Sequence, residues 1–297
     1  MFKGIWHFFS CGLFLLLIGC SSSEQTVMEN EQLEKNDSQE EDIRIVATTV
    51  ATTEIFDALE IDLVGIPTSY KDLPERYEGL QEVGNPMNPD MELIKSLQPT
   101  DVISVTTLQT DLEETFDAVD LNATYLNLQS LSNMLDEIEM LGEKFDREEQ
   151  AEALVSSIEE RLTLIETEVE DEESPSVLIL LGVPGSYLVA TEHSYIGDLV
   201  KRAGGENIVS GEEVEYLASN TEYLQQANPD VILRAAHGMP EEVVDMFNEE
   251  FQTNDIWKHF NAVQNERVYD LEELLFPTTG NLAVEEAMNE LVEMLYP

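Results

Sequence analysis

The sequence predicts an α/β fold of two lobes with central parallel sheets, joined by a single long rigid helix. Three observations carry that expectation. Short strand-like apolar runs alternate with helical periodicities, a helix–proline–strand unit occurs twice, and an uninterrupted amphipathic stretch lies between the copies. The copies are ELIKSLQPTDVI (92–103) and EYLQQANPDVI (222–232), which share a first-turn glutamate, a proline stop and Asp-Val-Ile, with Thr100 as the insertion. Such a duplication implies two lobes of similar build.

Taken in order, the chain opens on MFKGIWHFFSCGLFLLLIGCSSSEQ. One lysine, an apolar run too short and too early for a typical spanning helix, and a small residue before a cysteine predict an export signal over residues 1–19. Leu17-Ile18-Gly19-Cys20 resembles the bacterial lipobox, in which the peptide is cut before the cysteine and the thiol is lipidated. Cys11 falls in the discarded segment, so Cys20 stands alone and no intrachain disulfide is expected. Residues 20–42 are Cys20 and then SSSEQTVMENEQLEKNDSQEED (21–42), too acidic and too poor in large apolar side chains to order themselves, and read as a solvated tether.

The folded part begins near Ile43. RIVAT (44–48) reads as a strand, TTEIFDALEI (52–61) as a helix behind capping threonines, and IDLVGIP as a second strand. VISV (102–105), a helix near 109–118 and ATYLNL (123–128) repeat the pattern, which completes an N-lobe over 43–144. The segment 145–173 is the inter-lobe helix: Ala151, Leu154, Ile158, Leu162 and Ile165 recur at three- and four-residue steps over 146–173, without proline or glycine, until Ser174-Pro175. A helix of about seven turns is a stiff strut, so little closure on binding is expected. The C-lobe, 174–297, reads as strand 176–182, a helix over 194–203, the second copy of the repeat, a helix after Pro240, a strand near RVYDL and a closing helix AVEEAMNELVEMLY.

With 62 acids against 14 bases the formal charge is −48, which opposes nucleic acid or anionic lipid as a partner. Most of these carboxylates read as solvated surface. No GxSxG elbow and no thiol other than Cys20 remain in the mature chain, so no catalytic residues are assigned and an enzyme is not expected. Three histidines and a carboxylate at ligand-like spacing are also missing, which disfavours a zinc or manganese receptor.

A lipidated, exported two-lobe protein with one connecting helix resembles the substrate-binding lipoproteins of ABC importers, in the helical-backbone class that handles siderophores, cobalamin and haem. The resemblance covers residues 43–297. Within that class, GNPMNPDMELIKSLQPTD and RAAHGMPEEVVDMF look like the IsdE-type haem receptors of iron-regulated surface determinant systems. It implies haem b (iron protoporphyrin IX) as the ligand, with one methionine and one histidine on the iron; the matching positions are Met87, between Pro86 and Pro89 with one residue intervening, and His237, just beyond strand DVILRA, where a doubly wound sheet places its ligand crevice. A siderophore or corrinoid receptor shares the architecture and is the alternative. For the propionates the sequence offers Thr49, Val50 and Ala51, where the first strand turns into the first helix, and the loop bearing Tyr70 and Lys71. Glu92 and Glu222 open the duplicated helices, and in the resembling family such a pair docks on permease arginines. The implied protein is a monomer anchored by lipid on the outer face of a Gram-positive cell membrane, partnered by an ABC permease and by surface proteins that donate haem.

Overall fold

The computed structural model describes residues 43–297, apart from 212, 220–223 and 225–227. Ile45–Ala47 (β1) is buried throughout and feeds through Thr48 and Thr49 into Val50–Ala58 (α1). The helix starts two residues earlier than the periodicity predicts because Thr49, not a later threonine, is its N-cap. The Thr49 hydroxyl accepts from the N–H of Thr52, whose hydroxyl accepts in turn from the N–H of Thr49. Gly65–Ile66 (β2), Gln81–Glu82 (β3), Asp101–Val105 (β6) and Ala123–Leu126 (β7) complete a sheet ordered β3-β2-β1-β6-β7, and every pairing in it is parallel. Gly84–Asn85 (β4) and Asn88–Pro89 (β5) form a separate two-stranded hairpin, followed by Met91–Ser96 (α2). Gln109–Asp117 (α3) lies between β6 and β7.

The second sheet is ordered β11-β9-β8-β12-β13, from Tyr216–Ala218 (β11), Ser186–Ala190 (β9), Ser176–Val183 (β8), Val231–Ala236 (β12) and Val268–Leu271 (β13). The apolar centre of this sheet is parallel: Ala235 pairs with Leu181 on one side and Leu271 on the other. Its β9–β11 edge is antiparallel, and Glu206–Asn207 (β10) pairs with the start of β8. Among the described residues Tyr195–Arg202 (α6), Pro240–Thr253 (α7), Asn261–Gln264 (α8) and Val284–Leu295 (α9) accompany it as helices. The helix of the second repeat copy, and with it Glu222, lies outside the described residues; its strand is β12.

Two helices connect the sheets. Leu131–Lys144 (α4) is capped by Ser130 and buries Leu131, Met134, Ile138 and Leu141. Glu148–Glu168 (α5) buries Ala151, Val155, Ile158, Leu162 and Ile165. It ends at Glu168 rather than running to 173, since the acids Glu170, Asp171, Glu172 and Glu173 would stack negative charge on the negative end of the helix dipole. The buried face of α5 belongs to one contiguous apolar cluster that contains Ile45 and Ile103 of the first sheet and Val177, Ile179 and Leu233 of the second. Continuity of that core, more than the helix alone, opposes hinge motion.

Candidate functional site

The carboxyl ends of the central strands of both sheets open on one groove. It is lined by residues within four positions of the ends of β1 (Val50, Ala51), β6 (Thr107, Leu108), β12 (His237) and β13 (Glu272, Glu273). This is where the topology of open parallel sheets leaves a crevice. Its volume is about 1790 Å³, above the roughly 300–1,000 Å³ of ordinary small-molecule pockets, so a large ligand is admitted.

Met87 lines this groove from the first lobe. It occupies the turn of the β4–β5 hairpin, where Gly84 pairs with Pro89 and Asn85 with Asn88, and its own N–H donates to Asn85 Oδ1 at 2.9 Å. Gly84 enters the hairpin at φ 102°, a conformation that favours glycine, and Pro89 is buried beneath. Met87 itself is 66% exposed, which removes any role as core filling.

His237 lines the groove from the second lobe. Its backbone N–H donates to the Gly182 carbonyl at 2.9 Å, and the next N–H, that of Gly238, donates to Glu273 Oε1 at 3.1 Å. Desolvation by the groove walls holds the imidazole pKa below its usual value; Lys71 reinforces the shift and Glu273 opposes it. A neutral imidazole is the form that can donate its lone pair to a metal. Of the histidines in the described residues, His193 and His259 are exposed and lie outside the groove lining.

The residues that the sequence offers for the propionates lie together on the first lobe. Thr49, Val50, Ala51, Tyr70 and Lys71 all line the groove. The Thr49 hydroxyl is engaged in its capping box, whereas the N–H groups of Val50 and Ala51 stand in the first turn of α1, where no intrahelical acceptor exists. Among the described residues Lys71 is the sole lysine or arginine lining the groove, set against many carboxylates. The Tyr70 hydroxyl donates to Glu273 Oε2 at 2.7 Å, and burial together with that bond pushes its pKa up to about 12. Glu54, on the α1 wall, has its carboxyl raised by burial, partly offset by Lys71.

Glu92 lies apart from these groups. It is exposed in the first turn of α2, outside the groove lining, with its N–H on Asp90 Oδ1. Cys20 and the segments 1–19 and 20–42 lie outside the described residues. Among the described residues no group of three or more His, Cys, Asp or Glu side chains is arranged to hold a metal ion, and no helix is long and apolar enough to cross a membrane. Sequence reasoning missed Glu54, Glu215 and Glu273 as groove residues. Each is one acid among 62, and only the fold singles it out.

Residues 45–274 match the family described as periplasmic binding protein. The chain belongs to that family. This binding protein is 45% identical over 285 residues to the high-affinity heme uptake system protein IsdE of Staphylococcus aureus (strain bovine RF122 / ET3-1), covering 95% of this chain and 94% of that one. The crystal structure of S. aureus IsdE complexed with heme superposes with a TM-score of 0.83 at 48% identity, over 86% of this chain and 99% of that one. An ABC transporter substrate-binding protein from Listeria monocytogenes EGD-e superposes with a TM-score of 0.82 at 57% identity, over 86% and 98%. The vitamin B12 binding protein BtuF of Vibrio cholerae, at 19% identity and a TM-score of 0.68, shares the fold.

Proposed function

We propose that this binding protein captures haem, as iron protoporphyrin IX, in the groove between its lobes and presents it to an ABC permease. The observation that carries the reading is that an exposed thioether and an imidazole, Met87 and His237, line the same groove from opposite lobes. Imidazole is a strong axial ligand for haem iron and thioether a soft, weak one, so the pair gives a six-coordinate site that can still release its cargo. In this reading the propionates face the free N–H groups of Val50 and Ala51, beside Thr49, and the Lys71 ammonium, while the Tyr70 ring forms wall.

Glu92 and Glu222 are the residues we assign to permease docking, as charges that set register and encounter rate. Lipidation at Cys20 holds the protein at the outer face of the cell membrane, where surface proteins hand haem over.

An absorption titration of the purified protein with hemin tests the proposal. A saturable Soret shift with six-coordinate low-spin features is expected. Absence of any spectral change, together with binding of a ferric siderophore or a corrinoid, would replace haem by one of those ligands.

A further inference from the structure

Resting on the assignment of His237 as an iron ligand, we propose that Glu273 is the positioning residue of that histidine and that Tyr70 holds it from the opposite lobe. Glu273 follows β13 by two residues and is only 8% exposed, yet it forms no ion pair among the described residues. A buried carboxylate without a cation is costly unless hydrogen bonds satisfy its oxygens. Its oxygens are divided between the lobes: Oε1 accepts the Gly238 N–H at 3.1 Å and Oε2 accepts the Tyr70 O–H at 2.7 Å.

The first of these bonds acts on the histidine through its backbone. The peptide before the His237 Cα is fixed by its N–H on the Gly182 carbonyl, and the peptide after it is fixed by the Gly238 N–H on Glu273. With both flanking peptides pinned, φ and ψ of His237 are set and only its side-chain torsions remain. Gly238 sits at φ 70°, with nothing within 4 Å of where a Cβ would be, so glycine answers there to backbone conformation and not to crowding.

The second bond carries the same carboxylate across the groove. Tyr70 is 71% exposed and belongs to the loop after β2, 203 residues away in sequence. A buried acid serving only local stability would find its donors within its own lobe. Glu273 instead couples the direction of one axial ligand to the lobe that bears the other, so haem dissociation and ligand geometry both depend on it.

The test combines amide exchange of Gly238 in the ligand-free protein with the spectrum and dissociation rate of its hemin complex. Glu273→Ala is expected to speed Gly238 exchange about tenfold or more, to convert part of the low-spin spectrum to high-spin, and to release hemin about tenfold faster. Glu273→Gln, which keeps an acceptor oxygen, is expected to restore most of the spectrum. Tyr70→Phe removes only a hydroxyl from an exposed ring, and carries the test through the same dissociation and spectral readouts if Glu273→Ala fails to fold. Parental exchange, spectrum and release in these variants would overturn the proposal. Faster Gly238 exchange in Glu273→Ala, with a parental hemin spectrum that His237→Ala leaves unchanged, would instead refute the ligand assignment and leave only the backbone tie.

Discussion

The backbone N–H of His237 donates to the carbonyl of Gly182, which ends the β8–β12 ladder and places the imidazole at the groove wall. Gly182 is required by the packing behind it: a Cβ there would meet Val243 Cγ1 at 2.3 Å and Phe247 Cε2 at 2.6 Å, both on α7. Gly182→Val is therefore expected to push α7 off the sheet, lowering stability by about 1–3 kcal/mol and weakening hemin binding together. Urea denaturation and hemin titration of the variant check this.

Met87 and Met134 separate ligation from packing. Met134 is fully buried on α4, and Met134→Ala is expected to cost about 2–5 kcal/mol of stability. Met87→Ala, at an exposed turn, is expected to stay within about 0.5 kcal/mol of the parent while altering the hemin spectrum. Denaturation curves and spectra of the two variants measure it.

Lys71 faces the groove with no ion pair among the described residues, and it is the groove's cation there. Lys71→Ala is expected to weaken hemin binding about two- to fivefold, with a smaller difference at high salt. Titrations at two ionic strengths provide the comparison.

Glu54 and Glu215 set a pH dependence of stability. Burial raises both carboxyl pKa values above 4.5, with Lys71 opposing it at Glu54 and the Gln129 amide opposing it at Glu215. When the folded pKa is the higher one, the contribution is fully present below the unfolded pKa and is lost as pH rises through the folded pKa. Glu54→Gln and Glu215→Gln are therefore expected to be more stable than the parent near neutrality, with the advantage shrinking as pH falls through the raised folded-state pKa. Denaturation across pH 4 to 8 gives the result.

Much of this arrangement was legible in the sequence, for identifiable reasons. β1, β6, β8 and β12 are nearly continuous apolar runs bounded by turn residues, and the apolar steps of α5 have no competing breaker. Met87 and His237 were singled out by the family resemblance of GNPMNPD and RAAHGMP, and the fold brings both to one groove. α4 carries an equally clear spacing at Leu131, Met134, Ile138 and Leu141, which the expected element order leaves out. The β4–β5 hairpin and the edge strand β11 were not legible, because strands of two or three residues have too little periodicity to read. Glu273 was invisible for another reason. Its meaning comes from contacts with Gly238 and Tyr70, which no local pattern encodes.

A crystal structure of the hemin complex addresses the central claim most directly. The account predicts iron in the groove, bonded on one side to the Met87 thioether sulfur and on the other to an imidazole nitrogen of His237. Iron held by other side chains, or a porphyrin seated outside the groove, would contradict it.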